Sequence, residues 1–170
     1  EDVDESSRHQ AQLHTVSLID AETGLLNFRG LLLVGEDYME AYRRYGTDYV
    51  CVVLEVPEYE QVFRDYGDEV AGKLLQAITD QLLTLHSLKG SLAHLSGCRF
   101  FYITHQSLDR DFRNTLLGLT NAIHSLTDIG GYSCTLYLQY AIVQGSEGRD
   151  FDEIMQLLRE RLKDAEEQRY

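Results

Sequence analysis

The run Tyr49-Val50-Cys51-Val52-Val53-Leu54-Glu55-Val56 constrains this chain more than any other feature. It is nearly continuous in apolar and β-branched side chains, with no polar alternation. A strand of that kind is covered on both faces, whereas a strand facing water on one side would alternate. The chain must therefore supply a layer of structure above and below its sheet.

Helical material lies on either side of the run. From Asn27 to about Tyr45 the residues Phe28, Leu31, Leu32, Met39 and Tyr42 recur at mostly helical spacing, and Gly46 stands where a C-terminal cap belongs. Pro57 opens a helical stretch to Tyr66, and Asp68 caps a second from Glu69 to Leu85. Ser91 to Leu95 and Phe100 to Thr104 read as short strands joined by the small residues of Ser96-Gly97-Cys98-Arg99, which suit a hairpin turn. Arg113 to Leu126 reads as a helix, Ser133 to Val143 as a strand, and Phe151 to about Gln168 as an amphipathic helix with one solvated face. An antiparallel hairpin inside an otherwise alternating order fits a ferredoxin-like palm.

Charge and composition narrow the function. The formal net charge of -13 over 170 residues argues against nucleic acid or anionic lipid as the main partner, because a polyanion is repelled. No stretch approaches the apolar length of a membrane span, and Glu1-Asp2-Val3-Asp4-Glu5 does not resemble a signal peptide. Cys51, Cys98 and Cys134 lack metal-site spacing and are an odd count, so reduced thiols in a cytoplasm are expected. Residues 1–16 are polar and acidic and read as a linker or the end of a helix from an upstream domain, with one domain from 17 to 170.

The segment Asp20-Ala21-Glu22-Thr23-Gly24-Leu25-Leu26-Asn27-Phe28-Arg29 resembles the opening signature of GGDEF domains, Asp-x-Leu-Thr-Gly-Leu-x-Asn-Arg-Arg, at six specified positions. Leu54-Glu55-Val56 followed by Asp65-Tyr66-Gly67 is similar in spacing to that family's first core strand and its following helix. Ser96-Gly97-Cys98-Arg99-Phe100 stands where the Gly-Gly-Asp-Glu-Phe turn belongs, keeping only the second glycine and the phenylalanine. The resemblance runs from about Leu18 to Glu166. It implies an α/β (α+β) fold of the nucleotide-cyclase palm type, with a central, mostly antiparallel mixed sheet of about five strands flanked by helices.

The family joins two GTP molecules with the help of divalent metal, which needs hard oxygen ligands. The resemblance puts Glu55 at the strand ligand position, Cys98 at the acidic turn position and Arg99 at the glutamate beside it. A neutral thiol is a poor ligand for magnesium and an arginine repels it, so no metal site is expected, Glu55 being a weak candidate better read as facing water or an arginine. The guanine-reading positions become Phe63, expected in the core or at an interface, and Gly72 or Lys73; the phosphate-holding lysines become Glu60 and Glu166. The Arg-x-x-Asp site for the cyclic dinucleotide product becomes Ser87 and Gly90.

These replacements imply a non-catalytic (degenerate) GGDEF domain without a cofactor. It would act as a regulatory or protein-interaction module in bacterial cyclic-di-GMP-type signalling, through a protein partner or self-association. A nucleotide sensor without turnover and a residual cyclase are the alternatives. His86 and His94 lack a partner at metal-ligand spacing and read as exposed or packed. Cys98 beside a cation has one mark of a redox-sensitive thiol, but no base or resolving thiol accompanies it.

Overall fold

A computed structural model describes residues 17–169. The reading of residues 1–16 as a linker lies outside them. Helix α1 spans Phe28–Tyr45, strand β1 Val50–Glu55 and helix α2 Glu58–Leu82, followed by a 3-10 turn at Leu83–Leu88. Strands β2 (Ser91–Ser96) and β3 (Arg99–Thr104) form the hairpin, and helix α3 spans Arg110–His124. A small hairpin, β4 (Asp128–Ile129) with β5 (Tyr132–Ser133), precedes strand β6 (Gln139–Gln144) and helix α4 (Phe151–Arg169).

The four long strands make one sheet in the order β2-β3-β1-β6, antiparallel throughout. Strand β1 lies inside it, and all six of its residues are buried. Successive side chains point to opposite faces, and the two faces feed two cores. Val52, Leu54, Phe100 and Tyr102 pack against the second half of α2 and against α3. Cys51, Val53, Phe101 and Ile103 pack against Leu31 of α1 and Ile154, Leu158 and Leu162 of α4. Each fully buried large side chain of this kind contributes roughly 1.5–3 kcal/mol. No helix among the described residues is long and apolar enough to cross a membrane.

Local chemistry explains the boundaries. Asn27 caps α1 by accepting from the Gly30 N–H at 2.9 Å, and Gly46 ends it in the left-handed region. Helix α2 is interrupted at Gly67 (φ 85°, ψ -174°), a conformation that a side chain would resist. The two helices expected on either side of Asp68 are thus two arms of one kinked element.

Two expectations need correction. The sheet holds four strands where about five were expected, and the strand expected over Ser133 to Val143 is split. Ser133 belongs to the small hairpin, and residues 134–138 lie in no strand. Their alternation is real, since Leu136 and Leu138 are buried, but their backbone is satisfied elsewhere. The Tyr137 N–H donates to Glu58 Oε1 at 3.1 Å, and the Leu136 carbonyl meets His124 Nδ1 at 3.0 Å.

Candidate functional site

Antiparallel pairing brings the exit of β1 against the β2–β3 turn, because Glu55 lies opposite Arg99. The Val56 N–H donates to the Cys98 carbonyl at 3.0 Å, tying the two together. Around this junction a cavity of about 320 Å³ is lined by Glu55, Tyr59, Glu60, Cys98, Arg99 and Glu166 among others. Three carboxyl groups, one guanidinium and one thiol therefore converge here.

Glu55 is buried and does not face water. The Arg99 Nε and Nη2 donate to Glu55 Oε2 at 3.0 and 2.8 Å, so the arginine alternative is the one observed. Cys98 is buried as well, and both its desolvation and the nearby Glu60 charge push its thiol pKa upward. The adjacent guanidinium does not make it reactive. The mark of redox sensitivity read from Cys98-Arg99 is thereby corrected, because Arg99 turns to Glu55 and burial disfavours the thiolate.

Glu166 reaches the same cavity from the last turn of α4. A hydrogen bond with Glu55, then burial and the Glu55 charge, raise its carboxyl pKa to about 7 against the opposing pull of Arg99. The folded state thus retains a proton that the unfolded chain releases near its ordinary value of 4.5. Stability falls as pH rises through that window. Glu166→Gln is expected to raise the melting temperature at pH 8 by about 1–2 °C and to leave it unchanged at pH 4, a modest shift because solvent screens the pair. Thermal scans at the two pH values check this.

The remaining positions scatter. Phe63 is 43% exposed, its ring centroid 6.3 Å from that of Tyr59, so it is not part of the core. Gly72 lies on α2 beyond the kink, facing open space, and Lys73 packs along Gly130 of the small hairpin. Ser87 is exposed and bonded to the Thr84 carbonyl at 2.9 Å. At Gly90 a Cβ would collide with the Ile103 carbonyl and the Tyr102 ring.

The reading of the residues missed one pair. His94 is buried, with Nδ1 3.0 Å from Asp20 Oδ2 and Nε2 2.7 Å from the Gly97 carbonyl. Both neighbours accept, so a ring making both bonds carries a hydrogen on each nitrogen. Burial raises the Asp20 carboxyl pKa, but hydrogen bonds from Thr23 together with the charge and hydrogen bond of His94 outweigh it and hold it below its usual value. This pair ties the loop before α1 to the hairpin turn. Its one sequence signal was a histidine on the inward side of β2.

The family model described as "Diguanylate cyclase, GGDEF domain" matches residues 17–170. The chain belongs to the GGDEF family. Solved GGDEF structures share its fold at low identity. Diguanylate cyclase SiaD of Pseudomonas aeruginosa, determined with its activator SiaC, is 20% identical with a TM-score of 0.80, over 98% of this chain and 67% of that one. The coiled coil and GGDEF domain of DgcB from Caulobacter crescentus, in complex with c-di-GMP, is 14% identical with a TM-score of 0.82, over 98% and 89%. The FimX GGDEF domain of Pseudomonas aeruginosa is 15% identical with a TM-score of 0.79, over 88% and 93%. No curated protein sequence matches.

Proposed function

We propose that this GGDEF domain is a non-catalytic regulatory or protein-interaction module of cyclic-di-GMP-type signalling, working in a cytoplasm. The observation that carries the reading is the Arg99–Glu55 pair. The one carboxylate at the strand ligand position is already bonded to a guanidinium on the turn where the family signature has its acids. A magnesium–triphosphate does not fit these residues, since Glu60 and Glu166 add negative charge and Cys98 offers a neutral sulfur. Among the described residues no group of three or more histidine, cysteine, aspartate and glutamate side chains is placed to hold a metal ion.

A protein partner, an upstream sensory domain or self-association supplies the functional context in this reading. The SiaD–SiaC complex is a precedent for a relative that engages an activator protein. Calorimetric titration with GTP and magnesium, beside a GGDEF domain with an intact signature, tests the proposal. No heat at millimolar GTP is expected. Binding at micromolar GTP would overturn it, and formation of cyclic dinucleotide would make the domain an enzyme.

A further inference from the structure

A second cavity, about 260 Å³, lies on the other side of Arg99, between α4 and the sheet. Its floor is apolar, with Phe101, Val53, Leu158 and Leu162 all buried. Arg159 and Lys163, one helical turn apart on α4, stand exposed at its rim with Arg99. Neither Arg159 nor Lys163 has an ion-pair or hydrogen-bond partner among the described residues. Three cations therefore gather at one cavity in a chain whose net charge is -13.

The single acid on the rim does little to cancel them. Glu166 is hydrogen-bonded toward Glu55, which with burial raises its own carboxyl pKa to about 7. Arg99 uses Nε and Nη2 toward Glu55, leaving Nη1 unengaged among the described residues. An apolar floor beneath the exposed cations Arg159 and Lys163 is suited to a ligand with an apolar body and one anionic head, because each part meets its complement.

We propose that the cavity between α4 and the β2–β3 hairpin is a binding site for a small amphipathic anion, an aromatic or branched carboxylate or sulfonate. The volume restricts the buried portion to a small ring system or short branched chain. The anionic head lies between Arg159 and Lys163, and the apolar body rests on Phe101. It shares Arg99 and Glu166 with the junction cavity described above and lies on the other side of the guanidinium.

Fluorescence titration with anilinonaphthalene sulfonate tests the proposal. Arg159→Glu with Lys163→Glu is expected to weaken binding by about tenfold or more, as the reversed charges repel the sulfonate. Met155→Trp, which fills the cavity beside the floor, is expected to abolish it. Arg43→Glu with Arg44→Glu on α1 changes the net charge equally and is expected to leave binding unchanged. The proposal is overturned by equal binding of phenylnaphthylamine, which lacks the sulfonate. It is also overturned by equal weakening in the α1 variant, or by unchanged affinity in the α4 charge variant, whose exposed positions keep the core intact.

Discussion

Gly90→Asp is expected to destabilise the domain by about 3 kcal/mol or more and to fail to restore a product site, even combined with Ser87→Arg. The family motif places its aspartate here, so the change looks like a simple reversion. The structure opposes it. A Cβ at this position would meet the Ile103 backbone carbonyl, and the Tyr102 ring and hydroxyl would lie only 2.6 Å away. Tyr102 is fully buried and donates to the Leu85 carbonyl at 2.9 Å, so it has no rotamer to retreat into without losing that bond. Ser87→Arg alone, on the exposed 3-10 turn, should shift stability by no more than about 0.5 kcal/mol. Urea unfolding of the three variants separates these outcomes, and a Gly90→Asp protein as stable as its parent would contradict the steric argument. At the position where the resemblance places that aspartate, a core tyrosine fills the space a side chain would need.

His94→Leu is expected to cost about 2–3 kcal/mol, although leucine suits a buried site. The loss comes from the partners left behind. The Gly97 carbonyl and the Asp20 carboxylate each lose a hydrogen-bond donor, and the carboxylate is largely withdrawn from water. Asp20→Asn should cost less, about 1 kcal/mol, since Thr23 can still donate to the amide oxygen. The double variant should cost less than the sum, because each change removes the same contact. Because the folded Asp20 carboxyl sits below its usual value, its contribution is full above the ordinary carboxylate range and fades as pH falls through the folded value. The gap between parent and Asp20→Asn should therefore close toward acid pH in the same unfolding measurements.

The elements that could be read from sequence are those whose signals are local. The apolar run of β1, the Gly46 cap and the break near Asp68 each depend on residues a few positions apart, and each stands as expected. The segment around Leu136 and Leu138 misled because alternation reports burial and not pairing. Its partner is the Glu58 carboxylate, 79 positions away from Tyr137. His94 and Asp20 are 74 positions apart, and nothing near either residue announces the other. Glu166 presented as part of a solvated, charge-alternating helix face. Its contact with Glu55 exists only because α4 crosses the end of β1 at that turn. The substitutions at Cys98, Arg99 and Glu60 were visible by comparison with a motif, yet the burial of Cys98 beside the Glu60 charge was not.

Leu26 has a mechanical consequence. Its N–H donates to the Leu92 carbonyl at 3.3 Å and its carbonyl accepts from the His94 N–H at 2.9 Å, a parallel stitch to the outer edge of β2. A pull at Ser17 is borne first by the bonds that Asn27, the cap of α1, donates to the Ser17 and Leu18 carbonyls at 2.8 Å each, and then by the two Leu26 bonds and the His94 clamp. The segment before α1 is thereby fastened at once to the helix it precedes and to the strand that leads into the Arg99 turn.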